Sequence, residues 1–151
     1  MIHPDYITGY IDGEGSFLIS FSPRNKIRLG LEVRPSFSVS QRMDRSEVLS
    51  IMKSYFGCGS IRFSKSDQTR KYEVRSLRNL NEVIIPHFRK YPIYSSKKKD
   101  FELFAQICEM MKKKDHKEPK GLTKIINMAL KMNPNGSRKY SKRFLFSKLK
   151  I

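Results

Sequence analysis

The chain has 151 residues, with 31 Lys and Arg against 14 Asp and Glu, a formal net charge of +17. One domain over residues 1–151 is the expectation, long enough for a core without disulfides, and Cys58 and Cys108 stand apart among apolar or glycine neighbours, which suggests buried free thiols and neither a disulfide framework nor a zinc site. The charge is a footprint for phosphate binding, shared with ribosomal proteins and membrane-surface binders, and says nothing by itself of fold or catalysis. No run approaches membrane-spanning length, so no membrane partner is expected, and residues 1–10 lack the basic start and apolar stretch of a secretory signal. A soluble intracellular protein is expected; the sequence does not give the compartment, and an organelle (chloroplast or mitochondrion) and a prokaryotic cytoplasm both stay open.

In chain order, residues 7–15 read ITGYIDGEG. Pro4, the small residues Thr8, Gly9 and Gly13, and apolar Ile7, Tyr10 and Ile11 predict a short helix ending at glycine with an acid just past its end. Gly9 and Gly13 are four apart, so they share a face that a second backbone can approach. Asp12 and Glu14 sit at the negative end of the helix dipole and deepen its potential, an arrangement that asks for a cation. Their oxygens and the Gly13 carbonyl are hard ligands of the kind Mg²⁺ takes. An ordinary turn with solvated acids is the competing reading.

From Ser16 the period changes to alternation: Phe17, Ile19 and Phe21 on one face, Ser16, Leu18, Ser20 and Ser22 on the other, which predicts a strand. A turn at Pro23, Arg24, Asn25 and Lys26 leads to a second strand with Leu31, Val33, Phe37 and Val39 inward and Glu32, Arg34, Ser36, Ser38 and Ser40 outward. Pro35 suits an edge strand or a bulge. Asp44 with Glu47 has capping-box spacing, and Val48, Leu49, Met52, Tyr55 and Phe56 recur at helical intervals up to Gly57. A second strand pair turns Ile61, Phe63, Tyr72 and Val74 inward and Arg62, Ser64, Lys71, Glu73 and Arg75 outward, around a polar loop at 65–70. Residues 79–88 predict a third helix burying Leu80, Val83, Ile84 and Phe88. Helical stripes follow at Phe101, Phe104, Ala105, Cys108, Met111 and at Leu122, Ile125, Ile126, Ala129, Leu130. A turn at 133–136 leads into a tail, 137–151, whose mixed apolar and basic residues predict docking and contact with phosphate.

The element order gives an α+β class, with helices on one face of a curved antiparallel sheet and a basic, serine-rich face left for a ligand. A strand ribbon fits a duplex major groove, where small and forked polar groups reach base edges. His3, His87 and His116 form no ligand spacing, and neither a Ser/His/Asp set nor a phosphate-cradling glycine loop is present.

Taken whole, ITGYIDGEG resembles the signature of the LAGLIDADG homing endonucleases, residue for residue from Ile7 to Gly15, with Glu14 standing where Asp is usual. The resemblance implies that family's fold, with extra helices at the C-terminal end. It also implies a catalytic set: Glu14 and the Gly13 carbonyl hold the metal, Gln41 ends the second strand and holds the water network, Arg45 lies near the scissile phosphate, and a lysine precedes the fourth helix. Counting from Pro92 favours Lys97 for that lysine, with Lys98 and Lys99 open, and for Arg45 a solvated surface arginine is the other reading. Asp12 looks structural in the family pattern.

One motif copy implies the single-motif type, a homodimer packed through Thr8, Gly9, Asp12 and Gly13. The implied reaction is divalent-metal-dependent hydrolysis of double-stranded DNA at a long, nearly palindromic site, leaving short 3′ overhangs. Mg²⁺ is the implied cofactor, with Mn²⁺ able to substitute and Ca²⁺ supporting binding without efficient cleavage. Ser20, Ser22, Arg24, Glu32, Arg34, Ser36, Ser38, Arg62, Ser64, Lys71, Glu73 and Arg75 are expected at the DNA. An RNA-binding intron maturase of the same fold and a basic regulator or ribosome-associated module without catalysis are the alternatives.

Overall fold

Pro4 opens helix α1 (Pro4–Glu14) in the computed structural model, which describes residues 1–134, 136 and 138–150. His3 Nδ1 accepts the Asp5 amide at 3.1 Å, relieving one of the donors that a helix start leaves unpaired. Glu14 is the last helical residue, so the acid ends the helix rather than following it. Gly15 turns the chain into an extended conformation there; a Cβ at this position would lie 2.6 Å from the Ile11 side chain.

The alternating segments then form β1 (Gly15–Pro23), β2 (Leu31–Arg42), β3 (Ser60–Ser64) and β4 (Thr69–Val74), in the sheet order β1-β2-β4-β3. β2 and β4 run antiparallel from Phe37 opposite Val74 to Arg42 opposite Thr69, and β3 pairs with β4 from Ser60 opposite Glu73 to Ser64 opposite Thr69. Pro35 therefore lies on an interior strand, not an edge, but ahead of the β4 ladder, where its missing N–H removes no bond to β4. Phe63 is exposed instead of turned into the core, because β3 is the outermost strand.

Between the strand pairs a 3₁₀ turn (Met43–Arg45) leads into α2 (Glu47–Phe56), which ends in left-handed Gly57 as a C-terminal glycine should. Asp44 is not its cap. Ser46 holds that position, its hydroxyl donating to Met43 O, and the Asp44 carboxylate pairs with Arg42 at 3.3 Å. The predicted third helix is longer and interrupted: α3 (Leu77–Asn79), a π-helical turn (Leu80–Ile84) and α4 (Ile85–Lys90) follow without a gap. Pro86 cannot donate to the ladder and its ring would clash with the carbonyl four residues back, which a regular α-turn does not accommodate. Val83 is accordingly half-buried, and Ile85 and His87 join Leu80, Ile84 and Phe88 inside.

Residues 1–17 and 36–98 make one compact unit. Its core is aromatic: Phe37 of β2 packs against Phe17, Phe56, Tyr72 and Phe88, with ring centroids 5.4 to 6.3 Å apart. Each such ring contributes roughly 2–3 kcal/mol on burial. The second unit comprises 18–35 and 99–151. In it, the predicted stripes of α5 (Lys97–Lys112) and α6 (Pro119–Ala129) are buried, with Leu130 only half-covered, together with Ile19, Leu31 and Val33.

The tail docks as predicted. Helix α7 (Lys142–Ser147) buries Leu145, and Lys150 bonds through its amide to Leu29 O and through its ammonium to Asn25 O. Gly30, at φ +90°, leaves room for this; a Cβ there would sit 2.3 Å from Lys148 O. Asn135 of the predicted turn and Ser137 and Ile151 of the predicted tail lie outside the described residues. Among the described residues no helix is long and apolar enough to cross a membrane.

Candidate active site and nucleic-acid interface

The 3.6-residue period splits α1 into two faces. Ile7, Thr8 and Ile11 are buried, while Gly9 and Gly13 are exposed on the other side. The sequence alone groups Thr8 with the glycines; the structure turns it inward. The Thr8 hydroxyl donates to Tyr91 O at 2.8 Å, and since that uses its one hydrogen, the His87 Nε2–H 3.0 Å away is the donor to Thr8. His87 Nδ1 then accepts from the Tyr55 hydroxyl at 2.9 Å. Burial drives the His87 pKa down to about 4, against a small opposing pull from Asp5, so the ring is neutral at pH 7. This buried chain ties the motif helix to α2 and α4.

At the other end of α1, Glu14 is exposed. Gln41 shares the strand face of Phe37 and Val39 but lies beyond the core, so its side chain emerges beside the helix end, its amide 3.4 Å from Glu14 Oε2 and 2.8 Å from Ser40 O. Asp12 is occupied differently. Its carboxylate accepts the Tyr94 and Ser95 amides at 3.1 and 3.2 Å and the Ser95 hydroxyl. Burial alone would raise its pKa, but these bonds and the nearby Lys97 outweigh it and hold the carboxyl below the usual range.

Ser95 Oγ in turn accepts the Lys97 amide, and the half-buried Lys97 ammonium reaches Ile11 O at 2.8 Å. A cation thus meets the negative end of the helix dipole from within the protein. Lys98 and Lys99 are exposed.

Tyr10 lies one helical turn before Glu14. Its phenol is pushed up, first by burial and then by the Glu14 charge, with Arg45 pulling the other way. Arg45, exposed at the end of the 3₁₀ turn, is therefore within electrostatic reach of the same spot. Among the described residues no three His, Cys, Asp or Glu side chains cluster to hold a metal ion. With Asp12 engaged, Glu14 is the carboxylate one copy of this end presents. Its oxygens suit Mg²⁺ chemically, provided that water, phosphate or a second copy supplies the other positions.

On the outer sheet face, Ser20, Arg24, Arg62 and Arg75 are exposed, and Ser22, Glu32, Arg34, Ser64, Lys71 and Glu73 are partly covered. Ser36 and Ser38 are buried, a correction to their expected exposure. The cause is the strand order: β2 is interior, and neighbouring side chains longer than a hydroxymethyl rise over it, with Glu73 directly opposite Ser38. The Ser20 hydroxyl donates to Arg34 O at 3.3 Å, and Ser64 Oγ lies 3.2 Å from Ser66 Oγ. Arg75 stands just past the end of β4.

A family described as LAGLIDADG endonuclease matches residues 7–108. The chain belongs to the LAGLIDADG endonuclease family. It is 30% identical over 133 residues to a probable intron-encoded endonuclease of Neurospora crassa, covering 87% of this chain and 29% of that protein. The chain spans between 25% and 60% of the length of the curated relatives it matches. The crystal structure of the homing endonuclease I-TnaI superposes with a TM-score of 0.89 at 32% identity, covering 97% of both chains. I-SmaMI bound to an uncleaved DNA target in the presence of calcium ions superposes at 0.89 with 31% identity, covering 97% of this chain and 49% of that one.

Within this LAGLIDADG fold, sequence reading misses Tyr10, Tyr55, His87 and Ser95. Tyr10 was within reach, because its four-residue spacing from Glu14 places both on one helix face. The other three carry no such signal, since their partners lie 32 to 83 residues away.

Proposed function

We propose that this chain is a site-specific homing endonuclease that works as a homodimer on double-stranded DNA and hydrolyses both strands. The observation that carries the reading is the convergence of Glu14, Gln41, Lys97 and, at longer range, Arg45 at the open end of the motif helix. Glu14 and the Gly13 carbonyl would hold Mg²⁺, which supplies charge neutralisation at the phosphate and a more acidic water. Gln41 orients the Glu14 carboxylate, and with both amide hydrogens used on Glu14 and Ser40 O its carbonyl oxygen is left to accept from a water. Lys97 and Arg45 are placed to offset the charge that builds on a phosphate under attack. A nearly palindromic target follows from two identical half-sites, and the family resemblance implies cutting to short 3′ overhangs.

The glycine face supports the dimer. A Cβ at Gly9 or Gly13 would meet nothing within 4 Å, so no contact inside the protomer needs glycine there. Each glycine nonetheless weakens a helix by roughly 0.5–1 kcal/mol relative to alanine. A second α1 lying against this face accounts for both, and brings the second acid to the same place. The buried Thr8 is not part of that face.

The test compares the parent with Glu14→Gln on one duplex selected from a randomised library, by gel shift and cleavage, in Mg²⁺ and in Ca²⁺. Glu14→Gln should bind as well as the parent and lose cutting by at least about 10²-fold, as when a group acting only in the transition state is removed. The parent in Ca²⁺ should bind without efficient cutting. Cutting by Glu14→Gln at the parental rate would exclude the mechanism, and binding to intron RNA without duplex cleavage would favour a maturase.

A further inference from the structure

Arg62 and Lys71 stand directly opposite each other across the β3–β4 ladder, two cations that repel unless an acid intervenes. Glu73 lies two residues beyond Lys71 on the same face of β4, diagonal to Arg62, and offers one oxygen to each: Oε1 is 3.6 Å from Arg62 Nη2 and Oε2 is 3.5 Å from Lys71 Nζ. The Glu73 side chain is 10% exposed, against 62% for Arg62 and 44% for Lys71. The acid therefore lies low in the sheet with the two cations standing above it. Its register partners on either side are Ser38 and Ser60, whose short side chains leave the carboxylate room to reach both.

From this geometry we infer that Glu73 is a positioning residue for sequence readout: it splays Arg62 and Lys71 and aims them outward, and makes no base contact itself. The inference rests on the outer sheet face being the DNA interface. A glutamate reads DNA by accepting from a cytosine amino group. Glu73 is too covered to do so without releasing both cations. Arginine reads guanine with two parallel donors, and a fork held in advance loses less side-chain freedom on binding. Half-exposed ion pairs add little to stability, so the value of Glu73 lies in orientation. Released, both cations would turn to any nearby phosphate, which carries no sequence information.

The second unit repeats the motif in looser form. Glu32 gives one oxygen to Arg24 at 3.2 Å and the other to Arg34 at 3.5 Å, but is itself 37% exposed. The covered acid, Glu73, is the sharper test.

The full chain and the Glu73→Gln, Arg62→Ala and Lys71→Ala variants are each bound to a randomised duplex library in Ca²⁺, and the selected pools are sequenced, with thermal unfolding followed alongside. Glu73→Gln should unfold within a few degrees of the parent and bind unselected duplex at least as tightly. It should lose discrimination by roughly tenfold at the same base positions that Arg62→Ala or Lys71→Ala relaxes. Parental discrimination at those positions would overturn the inference and leave the interface standing. Loss at a position that neither Arg62→Ala nor Lys71→Ala touches would make Glu73 a reader and overturn it equally. If Arg62→Ala changes neither affinity nor preference, the assignment of the sheet face to DNA is what fails.

Discussion

Three side chains of similar type, Lys97, Lys98 and Lys99, start α5, and one of them has a defined chemical place. Lys97 alone is half-buried, with its ammonium on Ile11 O at the end of the motif helix. Lys97→Met should lower cutting by about 10²-fold or more while sparing affinity, whereas Lys98→Met and Lys99→Met should cut close to the parental rate, checked by single-turnover cleavage. His87 supports a different prediction. Its pKa lies near 4 in the fold and near 6.5 in an unfolded chain, so between those values the unfolded state binds more protons. Its contribution is whole above pH 6.5 and is lost as pH falls towards 4, by up to roughly 3 kcal/mol. His116, also lowered by burial, adds in the same direction, while Asp12 weakens the fold only at lower pH, below the ordinary carboxylate range. Urea unfolding from pH 7.5 to 4.5 should show this slope, and His87→Gln should flatten the larger part of it.

Among the elements, α1 holds the most chemistry in 11 residues: a buried face anchored by Thr8, an open glycine face, and a C-terminal end at Glu14. Because a methyl at Gly9 meets open space in the protomer, Gly9→Ala should raise protomer stability by about 0.5–1 kcal/mol. Gly9→Leu should fold equally well but keep two helices from close approach, and lose both dimer and double-strand cutting. Sedimentation over a range of concentrations checks this; a Gly9→Leu protein that sediments and cuts like the parent would exclude α1 as the interface. The strands and helices themselves were legible from period alone, as Phe17, Phe37, Tyr72 and Val74 turn inward where alternation puts them. Boundaries were less so. The capping-box spacing at Asp44 fails because the chain makes a 3₁₀ turn first, and the break before Pro86 needs a backbone to be seen.

At the scale of the whole molecule, the formal charge of +17 predicts how binding answers to salt. With six or more phosphates contacted, the affinity for duplex should fall by about 10³-fold or more between 50 and 200 mM salt, for selected and unselected duplex alike. A nearly flat dependence in filter binding would exclude the basic surface as the source of affinity. The sequence by itself determined the charge, the motif and the two-period pattern, because these depend on residue types at short, fixed spacings. Tertiary structure alone decided that Thr8 turns inward, that Lys97 meets Ile11 O from 86 residues away, that Gln41 reaches Glu14, and that Glu73 lies beneath its cations. The physical reason is that burying the aromatic core sets where distant strands and helices lie. Only then is it settled which charge faces which oxygen.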